Sequence, residues 1–501
     1  MKQHLLDIGK DSIWYLIATA ASSLLAFIAV PIFTRVLVPR QYGIYALIGG
    51  TISLLSVLGT IWVTGSIVRF YAGYEKEDRL QEFYSSVYHY VPHVFVLCIV
   101  LLMPLAILFF PTGPYKWPVV LAIAIMPFVL LFRISQGMAR ARRLSKYYAI
   151  QSIGNDAGRY LLGAALVGFA GLGVSGIFVG WLTALVAMCF MQIIVLSCVK
   201  YFSWKKNSVE LQKKLVSFGF PLIAANLLGT VLAVSDRYII QIFKGSAQVG
   251  LYSVVYSLSL SIVVGFVGFI ELGVTPVVVP AYEKEGEAQA IAIVRTVTRY
   301  FLLVLIPGIV GLWLLRYRVM SVITSAKYIP AAAVLLPLIT GIAMSEFAWI
   351  PSVSFHLKKR TSLLLWPVGT AAVFNVVLNL ILVPFFGYPG SAWATLASYA
   401  VYLTLATIIG NRLMKWDFPW DMLLKVLGAA AVMGASLYFL NRLHARGVVM
   451  LALLIVIGGA IYIVALLAFG GLSRDEIRSI FDLIKRLPGI RRITRSKSGE
   501  E

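Results

Sequence analysis

The chain has 501 residues, of which 60% are hydrophobic and only 13% charged, and it carries a formal net charge of +22. Soluble domains have about a quarter of their residues charged, so a single water-soluble core is excluded. Runs of about 20 apolar residues recur instead, each long enough to cross about 30 Å of hydrocarbon, where only helices or closed barrels satisfy the backbone.

The runs are too long and too continuous for the alternating strands of a barrel. The sequence therefore reads as an all-α polytopic membrane protein with about 14 transmembrane helices. The expected spans are 12–37, 42–71, 85–110, 117–139, 147–168, 174–198, 215–241, 250–278, 291–315, 330–355, 361–383, 388–412, 423–441 and 446–469. The first is too long for the apolar region of a cleavable signal, although Ala18-Thr19-Ala20 lies inside it. The connections are short and leave no room for an extramembrane domain. Cys98, Cys189 and Cys198 fall in or at the ends of spans without metal or disulfide spacing, as helix-packing residues do. Beyond the last span, Ser473 and Glu476 form a capping-box pattern ahead of Ile477, Ile480, Phe481, Ile484 and Leu487. That basic tail is expected as an amphipathic helix on the cytoplasmic leaflet, attracted by anionic lipids.

Placing the N-terminus in the cytoplasm puts about 28 Lys and Arg in inner connections and about 8 in outer ones. The inner clusters include Arg140-Ala141-Arg142-Arg143, Lys205-Lys206, Lys213-Lys214 and Lys358-Lys359-Arg360. This asymmetry places both termini in the cytoplasm. It also assigns the positive charge to the membrane surface and not to nucleic acid.

An internal repeat runs through the chain. Tyr42-Gly43-Ile44-Tyr45 after the first span resembles Val249-Gly250-Leu251-Tyr252 after the seventh, and Tyr74-Glu75-Lys76-Glu77 matches Tyr282-Glu283-Lys284-Glu285. Gly173-Val174-Ser175-Gly176 opens the sixth span as Gly387-Tyr388-Pro389-Gly390 opens the twelfth. Six spans separate the copies, an even number, so the halves share one orientation and form parallel repeats. The expected organisation is a six-helix bundle over 1–200, a second over 201–415, an appended helix pair over 416–470 and a tail over 471–501.

Ionisable residues inside spans cost about 2.5–3.5 kcal/mol each on insertion scales, so each is a functional candidate. The intramembrane cations are Arg35, Arg69, Arg133, Arg159, Arg237, Arg295 and Arg299, all Arg and none Lys. The planar guanidinium fork suits bidentate contact with phosphate or carboxylate. Arg159, near the middle of the fifth span, leads the candidates for substrate contact, with Arg35, Arg69, Arg237 and Arg299 beside it. Arg69, Arg133 and Arg295 lie close enough to the inner face to snorkel instead. Asn155, Asn226, Asn375 and Asn379 are candidates for sugar hydroxyls or for interhelical hydrogen bonds. The intramembrane acids Asp156, Asp236, Glu271 and Glu346 are candidates for coupling transport to protons or sodium. Asp156 also stands three residues from Arg159, where the two can pair. Pro221, Pro276, Pro307, Pro337 and Pro367 offer helix breaks. No catalytic triad, zinc spacing or phosphate loop appears, and no cofactor is expected.

Thr34-Arg35-Val36-Leu37-Val38-Pro39-Arg40-Gln41-Tyr42-Gly43-Ile44-Tyr45 resembles the first-loop pattern of the polysaccharide-biosynthesis flippases. Phe218-Gly219-Phe220-Pro221-Leu222, Ser235-Asp236-Arg237-Tyr238 and Val249-Gly250-Leu251-Tyr252-Ser253 resemble the start of their second half, and the Gly387 to Ala394 stretch their twelfth span. The resemblance, up to about residue 415, implies the fold of the MATE exporters and the lipid-linked precursor flippases, the MOP superfamily. It implies a Wzx-type activity: turning a polyprenyl-pyrophosphate-linked oligosaccharide over in the cytoplasmic membrane of a prokaryote, with O-antigen or exopolysaccharide repeat units as the type of cargo. The expected partners are that lipid-linked glycan, membrane lipids, and polymerases or glycosyltransferases of the same pathway. The alternatives are a MATE-like ion-coupled exporter of small molecules, or a flippase for another polyprenyl-linked glycan. A polyprenyl-donor glycosyltransferase is disfavoured because Val38-Pro39-Arg40-Gln41 in the first outer loop holds no acid.

Overall fold

The computed structural model describes residues 2–109, 113–442 and 447–472, with backbone alone at 2–12, 61, 106, 109, 199, 220–222, 225, 268–273 and 275–276. The tail proposed as an amphipathic helix lies outside the described residues from Ser473 onward. In chain order the long helices are α1 (Lys2–Val36), α2 (Pro39–Lys76), α3 (80–109), α4 (Lys116–Ala141), α5 (145–168), α6 (Gly173–Leu196) and α7 (Val209–Lys244). They continue with α8 (Ser246–Glu285), α9 (Glu287–Leu314), α10 (326–357), α11 (Leu365–Phe386), α12 (Tyr388–Leu413), α13 (Trp420–Leu440) and α14 (Val448–Ala468).

Among the described residues, 12 helices are long and apolar enough to cross a membrane. The expected spans 147–168 and 215–241 are helical as α5 and α7 but are not among the 12. α5 falls short because Gln151, Asn155, Asp156 and Arg159 interrupt its apolar run. It is a polar helix packed against α1 and α6, and such a helix is where a transporter keeps its site.

The helix contacts repeat as the sequence does. In the first half α2 packs on α4, α4 on α6, α6 on α5 and α5 on α1. In the second half α8 packs on α10, α10 on α12, α12 on α11 and α11 on α7. The halves meet through α1 with α8 and α7 with α2, a pair exchanged by the same relation, and through α2 with α8, which maps onto itself. Five helices of each half thus follow one parallel repeat, about an axis passing between α2 and α8.

That axis explains the repeated Gly. A Cβ on Gly43 would stand 1.9 Å from Ser246 O, and one on Gly250 would stand 1.9 Å from Pro39 O. The two helices therefore cross backbone on backbone, and only glycine fits at either position. Lipid tails are as apolar as leucine, so helices in membranes associate by such close approach and not by hydrophobic exclusion. Two tyrosines latch the same end, again in symmetric positions. Tyr115, before α4, hydrogen-bonds Ser246 Oγ at the start of α8. Tyr328, at the start of α10, donates to Leu37 O just before α2 at 3.0 Å. Gly245, with φ of 79°, supplies the left-handed residue that joins α7 to α8 without a loop, and Gly387 at 64° does so between α11 and α12.

The opposite end is held by aromatic residues. Tyr71, Phe83, Tyr84 and Tyr147 are buried with Leu211 and Leu215 of the first turns of α7. The α6–α7 connection docks there: Ser203 N donates to Ser85 Oγ at 2.9 Å and Ser208 N to Ser86 Oγ at 3.0 Å. Ser208 Oγ then caps α7 by accepting from Leu211 N at 3.2 Å. Ser66 Oγ donates to Leu215 O at 2.7 Å, and Gly219 lies against the backbone of Trp62, so α2 and α7 also touch closely here.

Among the described residues, those up to 294 and those of 319–416 form one compact unit, and those of 295–318 and 417–472 form another. In the second unit α13 packs along α14. Gly434 brings α13 against Val310 of α9, and Tyr462 OH donates to Leu303 O at 3.0 Å.

Candidate functional site

A polar cavity of about 590 Å³ opens inside the first repeat. Its walls come from α2, α4, α5 and α6, with Asn226 and Thr230 of α7 as the contribution of the second repeat. Ser53, Ser56, Thr60 and Thr64 recur along one face of α2 at helical spacing. The first three hydroxyls donate to carbonyls four residues back, at 3.0, 2.6 and 2.7 Å, so their lone pairs remain directed outward as acceptors. Charge comes from Arg133 and Arg140 of α4 and from Arg159 and Asp156 of α5, three cations to one acid.

Arg159 is placed by the local chain. It sits in a π-helical turn, Gly158–Leu162, inside α5. Such turns insert a residue into the helix and recur at functional positions. The turn is pressed on α6 through glycine: a Cβ on Gly158 would meet Ala184 Cβ at 2.1 Å, and one on Gly180 would meet Gly163 N at 2.5 Å. From there the guanidinium lies 4.3 Å from the centroid of Trp181, with Tyr160 and Tyr45 at 5.3 and 5.6 Å. Its Nη2 donates to Tyr45 OH at 3.0 Å, while Nε is buried with no hydrogen-bond partner among the described residues. Asp156 takes another direction: it accepts from Asn155 Nδ2 at 3.1 Å, and Asn155 Oδ1 accepts from Trp181 Nε1 at 3.0 Å. The cation is held by aromatic faces, which attract it without neutralising it.

Of the residues singled out in the sequence, the cavity gathers Arg133, Asn155, Asp156, Arg159 and Asn226. The others stand elsewhere. Arg35 is exposed and its Nη2 donates to Val322 O at 3.2 Å. Arg69 is exposed on the far part of α2. Arg299 belongs to the second unit, where Nη2 donates to Gly471 O at 2.8 Å. Arg237 is buried beside Tyr256, 4.5 Å from the ring centroid, and donates to Ala233 O at 2.6 Å. Glu346 is half-buried on α10, and the side chain of Glu271 lies outside the described residues. Arg133, for which snorkelling was the alternative, lines the cavity together with Arg140. Sequence reasoning did not single out Tyr45, Trp181 or the hydroxyl stripe on α2, although the stripe's helical spacing in an apolar segment was there to be seen.

Asp236 forms a second buried polar centre, inside the other repeat. It is 0% exposed and accepts from Tyr252 OH and from Thr395 Oγ1, the latter at 3.1 Å. Next to it Ser235 Oγ donates to Asn375 Oδ1 at 3.0 Å, and Asn379 Nδ2 donates to Asn375 O at 2.9 Å. Asn379 Oδ1 and Ser391 Oγ are buried without partners among the described residues. One carboxylate with amide and hydroxyl oxygens is a donor set suited to a single small, hard cation or a proton.

Comparison with known proteins agrees with this architecture. Residues 8–282 match the family described as polysaccharide biosynthesis protein. Over 482 residues, 96% of this chain and all of the relative, the sequence is 20% identical to the probable low-salt glycan biosynthesis flippase Agl15 of Haloferax volcanii. The lipid II flippase MurJ, in an inward closed conformation, superposes with a TM-score of 0.72 at 18% identity, covering 94% of this chain and 100% of that one. An inward-facing multidrug resistance MATE family transporter of the MOP superfamily gives 0.54 at 16% identity, covering 80% of this chain and 94% of that one. At such identities the two structures speak for the fold, which is that of the MOP transporters.

Proposed function

The chain belongs to the polysaccharide biosynthesis protein family, and from that premise we propose that it is a flippase for a polyprenyl-pyrophosphate-linked oligosaccharide, working by alternating access. The observation that carries the reading is the cavity of the first repeat: three arginines to one acid, with Arg159 caged by aromatic rings and its Nε unsatisfied. A half-buried guanidinium whose buried Nε is an unused donor fits an oxyanion, and the fork gives a diphosphate two parallel contacts. Acceptors along α2, with Asn226 and Thr230 opposite, suit sugar hydroxyls. An exporter of organic cations would carry the opposite charge in this cavity.

The positive-inside pattern supports cytoplasmic termini, and the family resemblance supports the cytoplasmic membrane of a prokaryote. The end closed by Gly43, Gly250, Tyr115 and Tyr328 then faces outward. In the cycle we infer, the head group enters the cavity from the inner leaflet and its phosphates meet Arg133, Arg140 and Arg159. The repeats rock about the α2–α8 axis and release the glycan outward, while the lipid tail stays in the bilayer. Glycosyltransferases that build the unit and a polymerase that consumes it are the expected pathway partners.

Asp236 is the proposed coupling site. Its oxygens, with Thr395 Oγ1, Ser391 Oγ and Asn379 Oδ1, which has no partner among the described residues, would hold one sodium ion or proton beside the buried charge of Arg237. Asp156, within the anion cavity, is placed to balance arginine charge.

Glycan analysis after deletion of the gene, with and without complementation, tests the reading. Loss of a surface polysaccharide with lipid-linked units accumulating in the membrane is expected. Unchanged glycans with new sensitivity to cationic drugs would instead identify a small-molecule exporter.

A further inference from the structure

Tyr45 and Tyr252 occupy the same place in the two repeats, each two residues beyond the glycine at which α2 and α8 cross. Tyr45 is 8% exposed and Tyr252 0%. A buried phenol needs a hydrogen-bond partner, and each of these finds a charged side chain of its own half. Tyr45 OH accepts from Arg159 Nη2 at 3.0 Å, and Tyr252 OH donates to Asp236 Oδ2. The charges themselves do not repeat, since Arg159 stands on α5 and Asp236 on α7. What the repeat preserves is the tyrosine.

From the tyrosines, contacts lead to the closed end. The Tyr45 ring packs edge-on against Tyr42 at 5.7 Å, and Tyr42 against Tyr328 at 6.0 Å. Tyr328 is the latch that bonds Leu37 O, and Gly43 lies between the two α2 tyrosines in the crossing itself. On the other side Tyr252 follows Gly250, whose missing Cβ admits Pro39 O. Each tyrosine therefore joins a charged site to the backbone crossing, within two turns of one helix.

We propose that Tyr45 and Tyr252 are positioning residues through which loading of the two sites loosens the outer gate. An oxyanion on Arg159 competes with Tyr45 for the guanidinium. A cation at Asp236 competes with the hydroxyl of Tyr252 for the carboxylate. Either exchange releases the phenol that fixes its helix in the glycine crossing, and both together favour opening. The inference rests on the anion-cavity reading given above. A hydrogen bond to a charged group shifts an equilibrium by about one to two powers of ten, enough to tip a gate between two populated states.

The test uses the full chain in nanodiscs, with spin labels introduced through an unnatural amino acid at positions 40 and 247, both exposed at the crossing. Distances are recorded without ligand, with inorganic pyrophosphate, and with sodium chloride in place of choline chloride, and pyrophosphate binding is measured separately by calorimetry. The wild type is expected to lengthen the 40–247 distance with each ligand. Tyr45→Phe is expected to populate the longer distance about tenfold more without ligand, one hydrogen bond having been removed, and to lose its response to pyrophosphate while keeping its response to sodium. Tyr252→Phe is expected to show the reverse. Variants that bind pyrophosphate and melt with the wild type, yet keep the wild-type distances, overturn the inference. If neither variant folds, wild-type distances that do not move under saturating pyrophosphate overturn it. A wild type that binds no pyrophosphate at all instead overturns the anion-cavity reading.

Discussion

Replacing Gly250 with alanine adds a single methyl group at the one place where two backbones touch. That Cβ would lie 1.9 Å from Pro39 O and 2.7 Å from Pro39 C, where ordinary contact begins at 3.4 Å. The obstacle is main chain, so no side-chain rotation relieves it, and α2 and α8 must part by about 1.5 Å at this end. Overpacking of this kind costs about 1–3 kcal/mol, borne only by the state in which the crossing is closed. The open state should therefore gain about 5- to 150-fold in relative population. Ser53 lines the cavity, so in a Ser53→Cys background an impermeant maleimide applied from outside reads the open state. The alanine variant is expected to label at least about fivefold faster and to export less glycan. Gly43→Ala should act alike, and the double variant less than additively, because one separation relieves both clashes. Labelling and export at wild-type rates, with the variant at normal abundance, would refute the assignment of this crossing as the outer gate.

Three further outcomes are expected. Asp236→Asn keeps the shape of the second centre but removes its charge, so transport in proteoliposomes should lose its dependence on a sodium or proton gradient; a dependence that survives unchanged would move the coupling elsewhere. Gly158→Val should drive α5 off Ala184, 2.1 Å from the site of the new Cβ, and lower thermal stability by about 1–3 kcal/mol, with pyrophosphate affinity falling as Arg159 shifts; an unshifted melting curve would contradict the close contact. Tyr328→Phe removes the bond to Leu37 O, worth about 0.5–1.5 kcal/mol, and should speed outside labelling at Ser53→Cys several-fold less than Gly250→Ala does.

The membrane class, the parallel repeat and the place of Arg159 within a polar stretch of a helix were legible because each writes a long-range or high-cost signal into the chain. Apolar runs cannot be mistaken in aggregate, a repeat keeps its spacing, and a cation in lipid must be accounted for. The remaining arginines were not separable, because a helical position near an interface does not say which way the side chain turns. Arg133 and Arg69 looked alike in sequence, and only helix contacts place the first on the cavity wall and the second away from it. Asn375 carried two readings for the same reason; it is buried between α7 and α11, bonded by Ser235 and Asn379. The aromatic cage was hidden more deeply. Tyr45, Tyr160 and Trp181 lie on three helices, and aromatic residues are common in membrane helices for reasons of interface and bulk. The π-helical turn at Gly158 left no sequence signal beyond the glycines, whose role depends on α6 lying against them.

A symmetric scaffold that carries unlike charges in its halves makes a specific demand on Arg159. If the cavity needed only positive charge, Arg133 and Arg140 would supply it and Arg159→Lys would be harmless. The geometry argues otherwise. Trp181 Nε1 is already engaged by Asn155, and Tyr45 OH takes Nη2, so the guanidinium is held among the rings with Nε unpartnered among the described residues. A lysine ammonium keeps the charge but has no planar fork, stacks less well and is more strongly hydrated. Arg159→Lys should therefore reduce export about 10- to 100-fold, the loss expected for one of two charge-assisted contacts, and Arg159→Ala should abolish it. Lysine should also weaken inorganic pyrophosphate binding while leaving the melting temperature near that of the wild type. Full export with lysine would mean that the aromatic cage only houses a charge, and that the diphosphate is recognised from α4.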